Sequence, residues 1–179
     1  MATDRLHILT GSPGSGKSTL IAALGVAGIA TSPEVGRAII REQIATGGDA
    51  LPWRDHLAFA RAMIVREVAS HHAALATGRT VILDRGAPDV VGFLRASGLP
   101  VPRSIDAAAR DCRYNPRVFI APFWAAIYTA DPERMQTAAE AEATHAVMVA
   151  TYRDYGYDLI ELPRATVAER VAFIVDRIA

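Results

Sequence analysis

Residues 6–19 read Leu-His-Ile-Leu-Thr-Gly-Ser-Pro-Gly-Ser-Gly-Lys-Ser-Thr, a short apolar run that passes into a glycine-rich turn closed by Gly-Lys-Ser. No other stretch limits the fold so tightly. The run has the length of a buried strand, and Gly11 to Ser18 make a complete G-x-x-x-x-G-K-S pattern. In such a loop Gly11, Ser12, Pro13, Gly14, Ser15 and Gly16 let backbone N–H groups turn inward around β- and γ-phosphates. A helix starting near Lys17 adds its positive end. The Ser18 hydroxyl suits Mg²⁺, and Thr19 completes the motif. Lys17 is the only lysine; the other eighteen of nineteen Lys and Arg residues are arginine. A compact, mobile ammonium suits this position where a planar guanidinium fits poorly. With glycine near 7% of average usage, a chance match in such a chain is roughly a one per cent event. The glycine order G-x-x-G-x-G also runs opposite to a dinucleotide fingerprint. The expected ligands are ATP and Mg²⁺.

The rest of the chain alternates short apolar runs with helical patterns. Residues 28–32 read as a weak second strand, 80–84 (Thr-Val-Ile-Leu-Asp) as a third, 117–120 as a fourth and 157–161 as a fifth. Leu57, Ala60, Ile64, Val68 and Leu75 carry the period of a helix over 57–77, closed by Gly78. An alanine-rich helix ends at Gly156, and Thr166 with Glu169 forms a capping box that opens a last helix to Ile178. Residues 95–116, with three prolines and a short helix at 104–111, read as an ordered surface insertion. Strand–helix alternation predicts an α/β fold with a parallel sheet and ligands at the carboxyl ends of its strands.

Composition excludes several classes. Zero net charge gives no electrostatic case for nucleic acid or an anionic membrane. Length predicts a single domain over residues 1–179, able to bury about two thirds of its unfolded surface. The lone Cys112 forbids an internal disulfide and reads as a buried filler, and with no membrane span the expected location is cytoplasmic. Neither oligomeric state nor acceptor identity is encoded in a readable way. His71 and His72 diverge around a helix, so they read as surface residues rather than a metal pair. Asp89 reads as the cap of a helix beginning at Val90, with a turn toward the acceptor as the alternative. Trp53, in an irregular stretch at 47–53 that could overhang the site, reads as packing or as a platform for substrate. Trp124 and Tyr128, four apart, read as one packed face.

The phosphate loop, Pro33-Glu34-Val35-Gly36-Arg37, Leu83-Asp84-Arg85-Gly86 and the span from Pro122-Phe123-Trp124 to Asp131-Pro132-Glu133-Arg134 together carry a resemblance. The chain resembles the small stand-alone AAA-domain P-loop proteins, a family of predicted ATPases or kinases, along nearly all of residues 6–178. It is more distantly similar to ribosylnicotinamide and thymidylate kinases. The resemblance implies a three-layer P-loop NTPase fold, with a five-stranded parallel sheet in the order 2-3-1-4-5 and a helical lid. It also implies that Asp84 lies near Ser18, where the two hold Mg²⁺ or Asp84 takes a proton from an acceptor hydroxyl. Arg85 then contacts a transferred or acceptor phosphate, unless it forms only a surface salt bridge. Glu34 and Arg37 stand where such kinases hold the acceptor, although an i,i+3 ion pair is the plain alternative. Asp131-Pro132 and Thr137-Ala138-Ala139-Glu140 are two helix starts close together, as in a broken lid helix, with Arg134 as the lid arginine. Residues 163–166 correspond to the base pocket.

Two functions follow from different classes. One is a phosphotransferase moving the γ-phosphoryl group of ATP–Mg²⁺ to a small-molecule acceptor, with Lys17 and Arg134 offsetting charge and Asp84 or Glu34 as base. The other is an ATP-hydrolysing or nucleotide-sensing regulator acting on a protein partner. A large mechanical ATPase is expected to carry a second acid after Asp84 and a further helical domain. Arg85 stands in the first place, and the sequence runs out with the last helix.

Overall fold

The apolar run before the phosphate loop forms β1 (Leu6–Gly11), all six residues buried. The computed structural model describes residues 2–127 and 137–178. β1 lies at the centre of a five-stranded sheet and pairs in parallel with β3 (Val81–Asp84) on one side and β4 (Arg117–Ala121) on the other. β2 (Ala30–Ser32) and β5 (Asp158–Glu161) form the edges, giving the order 2-3-1-4-5. The central strands are almost continuously buried because helices cover both faces, as parallel sheets require. The three residues of β2 are only half-buried, which explains its weak sequence signal.

Alternate residues of β1 feed two cores. Leu6 and Ile8 join Val81, Leu83, Phe59, Val90 and Leu94 in one, and Leu9 joins Leu20, Leu24, Ile82, Phe119 and Ile174 in the other. The first core is covered by α2 (Val35–Thr46), α3 (His56–Ala76), α4 (Ala87–Ala96), α5 (Arg103–Asp111) and α6 (Ala138–Asp154). The second is covered by α1 (Lys17–Val26) and α7 (Val167–Ile178). The period-2 alternation of the strand therefore fixes a three-layer α/β architecture.

Several expectations change on the structure. Residues 95–116 are not a surface insertion: Ile105, Ala109, Cys112 and Tyr114 are buried in the first core, so α5 is part of the layer that closes it. α4 begins at Ala87, not Val90, with Gly86 at its N-cap. Asp89 sits one turn inside it and takes the Gly86 N–H at 3.0 Å, the acidic half of a capping box. His71 is buried, because it continues the inward stripe Ala60, Ile64, Glu67 at helical spacing, while His72 is exposed. The His71 Nε2 lies 2.8 Å from the Arg113 carbonyl, and burial lowers its pKa. The capping boxes Thr137/Glu140 and Thr166/Glu169 both form.

Candidate active site

β1 delivers the loop to the carboxyl edge of the sheet. Gly11, at φ 133°, passes so close to β4 that a Cβ there would stand 2.3 Å from the Ala121 carbonyl oxygen. Only glycine fits this approach. Gly16 turns into α1 at φ 78°, and Lys17 is the first helical residue. Its ammonium folds back over the loop, donating to the carbonyls of Ser12 (2.7 Å) and Gly11 (3.1 Å) and to Ser15 Oγ (3.2 Å). Ser18 and Thr19 are exposed on the first turn of α1. The loop is braced from beneath by Arg170 of α7, which is buried and donates from both terminal nitrogens to the Ser15 carbonyl at 3.2 and 3.3 Å.

Register places Asp84 beside Leu9, two residues before Gly11. Asp84 is 5% exposed, and its Oδ1 is buried without a hydrogen-bond partner. Burial pushes its pKa up, while the nearby Lys17 charge pulls it down. The buried Ser12 hydroxyl likewise has no partner. Orphaned polar atoms of this kind are costly unless a ligand completes them. Asp84 Oδ1, the Ser18 hydroxyl and the loop N–H groups are an oxygen-and-amide set suited to Mg²⁺ and phosphate. Among the described residues no group of three or more His, Cys, Asp or Glu side chains is arranged to hold a metal unaided.

Beyond Asp84 the chain enters the left-handed region at Arg85, φ 78°, the only described non-glycine residue with positive φ. That conformation costs a residue with a Cβ about 1–2 kcal/mol. It is held by the Arg85 N–H bond to the Leu9 carbonyl (3.1 Å) and by three side-chain bonds. Arg85 Nε donates to Glu34 Oε1 at 3.1 Å, and one terminal nitrogen donates to Asp89 Oδ1 at 3.0 Å and to the Gly11 carbonyl at 3.2 Å. Arg85 and both carboxylates are largely buried, so this is not the surface salt bridge weighed above. Glu34 Oε2 accepts from Arg37 Nε at 3.1 Å, the i,i+3 pair. Asp89 also takes the Thr10 hydroxyl at 2.5 Å and the Tyr152 hydroxyl of α6. Its two oxygens thus tie β1, α4, α6 and Arg85 together.

The sequence did not single out Glu67, Tyr152, Arg170 or His145, and it offered Asp89 as a cap or as a group turned toward the acceptor, not as the partner of Thr10, Arg85 and Tyr152. Glu67 lies on the inward stripe of α3, 4% exposed, and burial raises its pKa from 4.5 to about 8, with Asp89 the next cause. The signal was an acid at a core position of an otherwise apolar helical stripe, and Arg170 gave the same signal four residues before Ile174. His145 of α6 approaches the Ala121 carbonyl, and burial lowers its pKa. The expected base pocket touches the loop after β4, where an Arg164 terminal nitrogen donates to the Phe123 carbonyl at 3.3 Å. Trp53 is 51% exposed. Arg134, Tyr128 and the start Asp131-Pro132 lie outside the described residues.

A parallel 2-3-1-4-5 sheet with this loop at the end of its central strand defines a P-loop NTPase of kinase-like fold. The chain belongs to the AAA domain family, whose model matches residues 6–170. Among solved structures it is similar to the NadR protein in complex with NR, with TM-score 0.71 and 16% identity over 98% of this chain. The chain spans 51% of that NadR chain. It is also similar to deoxyadenosine kinase from M. mycoides, with TM-score 0.64 and 13% identity over 97% of both chains. Shikimate kinase from Acinetobacter baumannii, in complex with shikimate, gives TM-score 0.59 and 17% identity over 97% of this chain and 92% of that one. At these identities the likeness is one of fold. No curated protein matches the chain in sequence. Among the described residues no helix is long and apolar enough to cross a membrane.

Proposed function

We propose that the protein is an ATP-dependent phosphotransferase that moves the γ-phosphoryl group from ATP–Mg²⁺ to a small-molecule acceptor held where β2 and β3 end. The observation that carries this reading is the buried Glu34–Arg85–Asp89 network against the phosphate loop. A polar assembly fixed at the end of two strands, with the strained backbone of Arg85 inside it, is built to present groups to a second substrate.

The residues divide the work by position. Lys17 exchanges its loop carbonyls for phosphate oxygens and offsets charge there. Asp84, with its unpartnered Oδ1, and Ser18 hold Mg²⁺, which when bound neutralises charge on the transferring phosphate. Glu34 lies within the acceptor end and accepts the hydroxyl proton, with Arg37 and Arg85 orienting its two oxygens. Arg134 serves as the lid arginine. Water is a poor acceptor in such a site, so ATP alone turns over slowly.

The test is a reaction of the purified protein with ATP–Mg²⁺ and a panel of nucleosides, sugars and small hydroxylated metabolites, read by mass spectrometry. One phosphorylated acceptor per ADP is expected. Brisk phosphate release across the whole panel with no phosphorylated compound would instead favour the regulatory ATPase.

A further inference from the structure

Among the described residues, acids and bases at the acceptor end of the site are already paired before any substrate arrives. Setting aside Asp84 and Lys17, which face the nucleotide, the described groups here are Glu34 and Asp89 against Arg85 and Arg37. Two acids meet two bases. A third acid, Glu67, lies behind them within electrostatic reach of Arg85, Glu34 and Asp89, so it adds either nothing or one negative charge. Arg85 is committed on two sides: Nε to Glu34 and one terminal nitrogen to both Asp89 and the Gly11 carbonyl. Asp89 cannot swing away to release it, because Thr10, the Gly86 N–H and Tyr152 fix both of its oxygens from three different elements.

An anionic acceptor would need the reverse. A phosphate monoester brings nearly two negative charges at neutral pH. To meet it, Arg85 would have to leave a buried carboxylate, and the stranded acid would then repel the ligand. What Arg85 has left to offer is the edge of its second terminal nitrogen. Its charge is cancelled, so that edge is a donor for a neutral oxygen rather than a seat for a phosphate.

Resting on the kinase reading, we infer that the acceptor is a hydroxyl compound with no anionic group at this end of the site, either uncharged or cationic. Its hydroxyl lies between Glu34 and the free edge of Arg85. In the transfer step the hydroxyl oxygen bonds the γ-phosphorus, the bond from that phosphorus to the β,γ-bridging oxygen breaks, and the hydroxyl proton passes to Glu34. ADP leaves with the electron pair. This replaces the expectation, drawn from resemblance, that Arg85 receives an acceptor phosphate.

The experiment uses matched pairs at saturating ATP–Mg²⁺: nucleosides against their 5′-monophosphates, and free sugars against sugar phosphates. The phosphorylated product is identified by mass spectrometry. The unphosphorylated member of a pair should be preferred by on the order of 100-fold in kcat/KM. Preference for the phosphorylated member overturns the inference. If no compound is phosphorylated, the kinase reading fails, and the charge argument is decided separately by ³¹P NMR. There the nucleotide site is filled with the Mg²⁺ complex of the non-hydrolysable analogue AMP-PNP, and inorganic phosphate is titrated in. The wild type should take up no phosphate at millimolar concentration, whereas Glu34→Gln, which frees Arg85, should gain a site. Submillimolar uptake by the wild type that disappears in Arg85→Met overturns the inference, whether or not Glu34→Gln folds.

Discussion

Replacing Glu67 by glutamine keeps the shape of the side chain and removes its charge, so it isolates what the buried acid does to stability. Burial takes the Glu67 pKa from 4.5 to about 8. Between these values the unfolded chain has released the proton and the folded protein has kept it. The folded state therefore binds more protons, and stability falls as pH rises through the window. His7 works the other way. Burial pushes its imidazole from 6.5 down to about 4, so its contribution grows with pH but is complete by pH 6.5. His71 and His145, also lowered from 6.5, act in that same lower range. From pH 6.5 to 8 Glu67 acts without that opposition. At about 1.4 kcal/mol per pH unit, the wild type should lose about 2 kcal/mol relative to Glu67→Gln over this interval. Urea unfolding of both proteins at half-unit pH steps measures it, and any constant offset from burying the amide cancels in the slope. Parallel stability curves for the two proteins across pH 6.5 to 8 would refute the reasoning.

Lys17→Ala should reduce turnover by about 10²–10³-fold and weaken ATP–Mg²⁺ binding by calorimetry, because it removes the one ammonium over the loop. Unchanged affinity and rate would remove Lys17 from the site. Asp84→Asn should lower the rate far more than nucleotide affinity, since the ion matters most as charge develops; equal rates at saturating Mg²⁺ would deny that role. Arg170→Met should raise the KM for ATP several-fold with little change in kcat, because Arg170 braces the Ser15 carbonyl without reaching the reacting atoms. A fall in kcat alone would contradict this. Arg134→Ala should cut turnover strongly with a smaller effect on acceptor binding, as rapid kinetics and calorimetry can separate.

The parts of the fold that were legible are those written in neighbouring residues. The glycine loop, the apolar run before it and the two capping boxes are local patterns, and each folds as read. The strand order came from resemblance. What escaped is long-range. Arg85 meets Glu34 across 51 residues, and Arg170 meets Ser15 across 155. Asp89 shows why such contacts hide: its place three residues after Gly86 accounts for a cap, and nothing local announces that Thr10 and Tyr152 converge on the same carboxylate. Residues 95–116 misled for a related reason. Three prolines and four arginines interrupt that stretch, and its buried residues, Ile105, Ala109, Cys112 and Tyr114, join the core only once α5 is laid against α3 and α4.

The central claim, transfer to an acceptor hydroxyl in preference to water, is tested most directly by turnover in H₂¹⁸O. The protein, ATP–Mg²⁺ and an acceptor that raises ADP production are incubated in labelled water, and both phosphate-bearing products are weighed by mass spectrometry. The account predicts a phosphorylated acceptor without ¹⁸O, formed one for one with ADP, and little labelled inorganic phosphate. Inorganic phosphate carrying one ¹⁸O and accumulating as fast as ADP would show that water is the true acceptor and contradict it.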